Sequence, residues 1–282
     1  TLPALSWADA GSPAFLAAAK EADGSYTLYG LAANGDDTFR VPLPGRGHAA
    51  AAHPTAPEAV AFARRPGTFA LVINCATGGI IETLHSPEGR HFYGHGAFVE
   101  GGEILVTTEN DIATGEGRLG LWSRAQGYAR IGEVASGGIG PHDILALPGD
   151  VLAVANGGIK TDLDRENLNI ETMRPNLSYL TLKGGIEEAV ELDPDLHKAS
   201  IRHLAARDGL VAFAMQWEGE KPDPVALLGL HRRGEAPQLE RGTLPAGQER
   251  IERRGVVAAH DRGDRPDPQE AVPPRDVAHE ID

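Results

Sequence analysis

The sequence predicts an all-β fold, a β-propeller of four-stranded blades, and three observations carry that prediction. Histidines stand ahead of paired apolar strands at His48, His95, His142 and His203, spaced by 47, 47 and 61 residues. A period of about 45 residues with several short strands per unit marks blades set radially around a channel. Gly (35) and Pro (20) are abundant while aromatics make up only 5% of the chain, a mixture that favours short strands and tight turns over a helical bundle.

The elements follow in order. Ahead of His48, "AFLAAAKE", "YTLYGLA" and "TFRVPLP" read as three strands of a first blade that lacks its innermost strand. Closed propellers commonly borrow that strand from the far end of the chain. The unit from His48 continues through "EAVAFAR", "TFALVIN" and "GIIETLH". The unit from His95 opens with a hairpin, residues 97–99 and 104–106 about a Glu-Gly-Gly turn. It continues through "RLGLWSR" and "YARIGEVA" to a Gly-rich turn at 136–140. The unit from His142 carries an enlarged connection, 157–176, before "LSYLTL" and "EAVEL", which accounts for the longer third spacing. Long inserts usually sit on a functional rim. "IRHLAA" and "LVAFAMQ" begin a fifth unit.

Residues 1–247 therefore read as one propeller domain of about five blades. Residues 248–282 contain 15 charged residues and 4 prolines and no alternating strand, so they read as a disordered or non-native charged tail with no partner strand for the first blade. An incomplete ring from a truncated or frame-shifted product is expected; a small five-bladed ring with a floppy tail is the alternative.

Bulk properties narrow the function. The chain has 282 residues, 41% of them hydrophobic, enough for a substantial core. A net charge of −14 argues against a nucleic-acid groove or an anionic membrane surface and favours a cationic ligand or metal. Cys75 is the single cysteine, so no internal disulfide and no thiolate cluster can form. No apolar run approaches a membrane span. Neither a Gly-x-Ser-x-Gly elbow nor a His-Glu-x-x-His helix occurs. Asp162, Asp164 and Glu166 alternate like part of a calcium loop but lack its Gly and its terminal Glu, and read as a solvated acidic loop.

In a blade, the start of the innermost strand lies beside the end of the second, since neighbours are antiparallel. That rule brings His95 beside Glu109 and Asn110, His142 and Asp143 beside Asn156, His203 and Arg202 beside Gln216 and Trp217, and His48 near Arg64. All would lie on one rim around the channel mouth, with the insert overhanging it. A ring of imidazoles with carboxylates suits a divalent transition metal such as zinc, copper, iron or nickel. His48, His95, His142 and His203 are the candidate ligands, with Glu109, Asn110, Asp143, Asn156 and Gln216 as orienting or contact groups. The other reading stays open: WD-type propellers keep a structural histidine after glycine at the same place, bonded within its own blade. His53, His85, His91, His197 and His231 have no repeat position and read as surface or turn residues. Trp122 is expected to pack between blades.

"RGHAAAAHPTAPEAVAFARRPGTFALVI", "FYGHGAF", "LVTTEN", "GPHDI", "LNIETMRPNLSYL" and "LVAFAMQWEG" together resemble the bacterial family of domain of unknown function 1513, over about residues 10–247 and without the tail. The resemblance implies a seven-bladed propeller related to the YVTN and quinoprotein-like groups. It further implies twin-arginine export to the periplasm, by a leader this sequence does not carry. Genes for imelysin-type lipoproteins and di-haem peroxidase-like proteins are the implied neighbours, in clusters linked to iron acquisition. No catalytic residue comes with it. The expected function is an accessory periplasmic propeller that binds a metal, a haem-type ligand or a partner protein through its His-rich face. Two readings compete: a metal-dependent, lactonase-like hydrolase with Glu109 handling a proton, and an interaction scaffold using the insert near 172–175.

Overall fold

A computed structural model describes residues 5–63, 68–161, 166–220, 226–240 and 257–258. The first blade holds β1 (Phe15–Lys20), β2 (Tyr26–Leu31) and β3 (Asp37–Leu43). The second is β4 (Gly47–Ala52), β5 (Glu58–Ala63), β6 (Phe69–Asn74) and β7 (Gly79–His85). The third is β8 (Arg90–Val99), β9 (Ile104–Asp111), β10 (Glu116–Ser123) and β11 (Ala129–Ile139). The fourth is β12 (Pro141–Leu147), β13 (Val151–Asn156), β14 (Asn176–Thr181) and β15 (Gly185–Glu191). The fifth is β16 (Ala199–Arg207), β17 (Leu210–Trp217), β18 (Leu228–His231) and β19 (Gln238–Glu240). All pairings within these sheets are antiparallel and sequential.

One pairing from the charged C-terminal stretch corrects the expectation that the first blade has no partner strand, while the rest of 248–282 lies outside the described residues. β20 (Val257–Ala258) pairs antiparallel with β1, setting Phe15 against Ala258 and Leu16 against Val257. The first sheet thus runs β20-β1-β2-β3, and β20 takes the position held by β4, β8, β12 and β16 in the other blades. A two-residue pairing inside a charged segment leaves no alternation to detect. Five four-stranded sheets stand among the described residues, as the repeat indicated. The expected turn at 136–140 is also corrected, because β11 extends to Ile139.

Burial explains why these segments are strands. β13 is buried at every position, and its side chains alternate between neighbours, as a strand with both faces covered requires. Val151, Ala153 and Ala155 pack toward Ile201, Phe213 and Met215 of the fifth blade, while Leu152 and Val154 pack toward Val106 and Leu119 of the third. The other interfaces follow suit. Leu16, Leu28 and Val41 meet Ala59, Leu71 and Ile73, and Val60, Phe62 and Val72 meet Phe92, Leu105 and Trp122. Trp122 packs between blades as expected. Burying each such aliphatic or aromatic side chain contributes about 1.5–3 kcal/mol, so the layers between blades hold the fold together. Four layers join the five blades; among the described residues no buried cluster joins the fifth blade to the first.

The insert after β13 is tied to the turn that leads into β12. The N–H groups of Gly157 and Gly158 donate to the carbonyls of Gly140 and Ile139, both at 2.8 Å. Asn169 braces the loop, accepting from the Lys160 N–H at 2.7 Å and donating to the Gly158 carbonyl at 2.9 Å. Asp162, Asp164 and Arg64 lie outside the described residues. No helix among the described residues is long and apolar enough to cross a membrane.

Candidate metal centre

Each histidine of the repeat is carried by an inner strand at a break in its pairing. Register with the second strand slips between Gly47 and Ala50 around His48, and between Phe92 and Gly96 around His95. It slips again between Pro141 and Asp143 around His142, and between Ile201 and His203. Such irregularities forfeit ladder hydrogen bonds and re-aim a side chain, and they concentrate beside functional sites. Gly94 completes the device. Its φ is +98°, and a Cβ there would stand 2.6 Å from Cδ2 of His48, so only glycine lets that ring lie against the bulged strand.

The four imidazoles converge. Ring centroids lie 4.9 Å apart for His48 and His95, 5.2 Å for His95 and His142, and 4.9 Å for His142 and His203. The cross distances are 6.1 Å for His48 to His142 and 5.7 Å for His95 to His203. One ligand atom each from His95, His142 and His203 can be chosen so that all lie within 4.8 Å of one another. His95 is buried, His48 and His142 are half-buried, and His203 is exposed.

The nitrogens are assigned by their partners. His95 Nδ1 lies 2.9 Å from Asp143 Oδ1, and a carboxylate can only accept, so Nδ1 carries the proton. His142 Nδ1 lies 2.9 Å from the Arg202 carbonyl oxygen and donates for the same reason. Both rings, when neutral, therefore turn an Nε2 lone pair away from these partners. His95 Nε2 lies 3.2 Å from His48 Nε2, which makes His48 the donor in that contact. Burial first, then the neighbouring His95 ring and the Arg202 guanidinium, hold His142 well below the ordinary imidazole pKa, so it is neutral and able to bind a metal near pH 7.

Asp143 is the hub. Its Oδ2 accepts from the Leu204 N–H at 2.9 Å and lies 3.9 Å from His203 Nδ1, while Oδ1 also accepts from the Ile144 N–H at 2.8 Å. Burial pushes its pKa up, but His95 and the two backbone donors outweigh burial and hold it below the usual carboxylate range. The ring partners cross from blade to blade, unlike those of a histidine bonded within its own blade.

Strand pairing sets the other candidate residues against different neighbours. Glu109 pairs with Phe92, not His95. Its buried carboxylate is held by Arg130 at 2.7 and 3.0 Å and accepts from Thr107 Oγ1 at 2.7 Å. Asn110 pairs with His91. Asn156 is wholly buried in a network with Ser136, Asn176 and Ser178. Gln216 pairs with Ser200, three residues before His203. The register slips account for this: His95 and His203 stand in mid-strand because β8 and β16 begin at Arg90 and Ala199, and at all four histidines the break in the ladder shifts the residue opposite. Two further corrections concern histidines read as surface residues, since His53 and His231 are only 3% and 1% exposed. Sequence reasoning missed the Arg202 carbonyl, a backbone group without a residue-type signal, and Gly94, whose role shows only once His48 lies beside it.

A comparison with family models matches residues 41–264 to the one described as protein of unknown function (DUF1513). That span runs past Gly247 into the charged segment, where the sequence reading expected no match, and the chain belongs to this family. No curated protein matches the chain.

Proposed function

We propose that this member of the DUF1513 family binds a divalent transition metal at the propeller axis, with His95, His142 and His203 as ligands, Asp143 orienting His95 and the Arg202 carbonyl orienting His142. One observation carries the reading: His95 and His142 each commit Nδ1 to an acceptor on the next blade, leaving Nε2 lone pairs in the shared space. This is the arrangement by which proteins fix the tautomer of metal-binding histidines and raise their basicity. Imidazole ligands without thiolates suit zinc, copper, nickel or iron(II), and a net charge of −14 attracts cations. The lactonase-like alternative loses the proton-handling group it was built on, because Glu109 is committed to Arg130. The family resemblance supplies the wider setting proposed for the site: a periplasmic accessory to iron acquisition, beside imelysin-type and di-haem peroxidase-like proteins.

Elemental analysis and calorimetric titration with zinc, copper, nickel and cobalt test this directly. The native chain is expected to hold about one metal ion per molecule. A triple substitution His95→Ala, His142→Ala, His203→Ala is expected to lower affinity by ~100-fold or more while circular dichroism stays that of a folded β-protein. Equal metal content in the two proteins would end the proposal.

A further inference from the structure

We infer that His48 is a fourth ligand of the proposed ion, and that the four imidazoles form a flattened, closed set that takes copper(II) in preference to zinc. This rests on the metal-binding reading above and names the ligand count and the ion of that same site.

His48 and His95 already stand at ligand spacing. Two nitrogens bound to one ion at about 2.0–2.1 Å, with a tetrahedral angle between them, lie about 3.3 Å apart. The Nε2 atoms of His48 and His95 are 3.2 Å apart. Because Asp143 takes the His95 Nδ1 proton, the hydrogen in that contact belongs to His48, and an ion would take its place. Solvent then removes the Nε2 proton and returns one to Nδ1, so His48 stays neutral and offers its lone pair. Gly94, with φ +98°, gives the His48 ring its place against β8.

The rings extend the argument to all four residues. An imidazole bound through nitrogen holds its centroid about 3.2 Å from the ion, so two rings on one ion stand about 4.5 Å apart at a right angle, about 5.2 Å at the tetrahedral angle and about 6.4 Å when opposed. Rings of successive blades, at 4.9, 5.2 and 4.9 Å, sit at or just inside the tetrahedral value. Rings two blades apart are wider, at 6.1 Å for His48 and His142 and 5.7 Å for His95 and His203. His95, His142 and His203 form the compact set, with ligand atoms within 4.8 Å of one another, and His48 joins it through His95, across from His142. Narrow angles between neighbours and wide ones across describe a tetrahedron pressed toward a square. Copper(II) and nickel(II) favour that geometry with nitrogen ligands, and copper(II) binds the more tightly of the two. Zinc is held almost always in a regular tetrahedron. With four protein nitrogens the ion keeps no open ligand position of the kind that holds water in catalytic sites, so the set suits holding a metal and not polarising a carbonyl.

The test loads the full chain with copper(II), counts bound nitrogens by electron paramagnetic resonance, and adds azide to probe for an open position. Native protein is expected to show four nitrogens and a spectrum unmoved by azide. His48→Phe is expected to bind copper ~100-fold more weakly, to show three nitrogens, to develop the absorption of copper-bound azide, and to have a smaller ratio of copper to zinc affinity. Three nitrogens in native protein, a native spectrum moved by azide, or native copper affinity in His48→Phe would overturn the fourth ligand; the native count needs no variant. An unchanged affinity ratio would overturn the choice of copper. Failure of the native chain to take up either metal would instead remove the metal reading itself, and this inference with it.

Discussion

Between the blades, histidine is sealed into packed layers, whereas along the axis the rings face one another. His53 Nδ1 accepts from the N–H groups of Thr55 and Ala56 at 3.1 and 2.9 Å. His231 contacts the Tyr179 hydroxyl at 2.8 Å and the Glu235 carbonyl at 2.9 Å. Both are sealed in the layers that hold neighbouring sheets together. The nitrogens of the axial rings face one another, a shared carboxylate and a backbone carbonyl. The same residue type is buried within the layers and, at the axis, presents its nitrogens to other imidazoles. Stability should therefore reside in the layers and affinity at the axis.

The sharpest way to break that division is to hollow out a layer. Trp122 donates from Nε1 to Thr107 Oγ1 at 2.9 Å, carries the Arg130 guanidinium 5.2 Å from its ring centroid and packs among Phe62, Phe92 and Leu105. Trp122→Ala is expected to cost about 3–5 kcal/mol in urea unfolding, with metal affinity unchanged in the fraction that stays folded. A loss below 1 kcal/mol would show that the layers do not dominate stability. The next effect lies on the axis. Asp143→Asn keeps an acceptor for the Leu204 N–H but removes the charge that orients His95, and should weaken metal binding by about 10–100-fold with little change in melting temperature. Unaltered affinity in calorimetry would deny Asp143 its orienting role.

The smallest effect is a pH dependence confined to a layer. Burial pushes the Glu58 pKa up, but the hydrogen bonds of Arg124 and Tyr128 and the Arg124 charge overcome it and hold the carboxyl below its usual range. A carboxyl depressed in the folded state contributes stability that is fully present above its unfolded pKa and is lost as pH falls through the folded one. Urea midpoints of the native chain should thus fall more steeply on acidification through the carboxylate range than those of Glu58→Gln. Parallel curves would remove the Glu58 contribution.

Much of this was legible in the residues. Blade order followed from the repeat, because equivalent positions in a radial array must return to the axis, and strand placement followed from short, largely apolar runs bounded by turns at segments such as β5 and β6. The polar partners were not legible, for a reason of register: β8 carries two extra residues against β9 between Phe92 and Gly96, so Glu109 ends opposite Phe92 and inside its own sheet instead of beside His95. Asp143 survived that shift because it adjoins His142 in the chain and travels with it. The partner strand for β1 escaped notice because two residues, Val257 and Ala258, carry no period of their own.

Asp143 grips His95 on the third blade and the Leu204 amide on the fifth while belonging to the fourth. A cation settled among the rings beside it would act as a rivet through three leaves of a fan. Sliding or splaying of any one leaf would pull a ligand off the ion, so occupancy and the spread of the blades become a single mechanical variable.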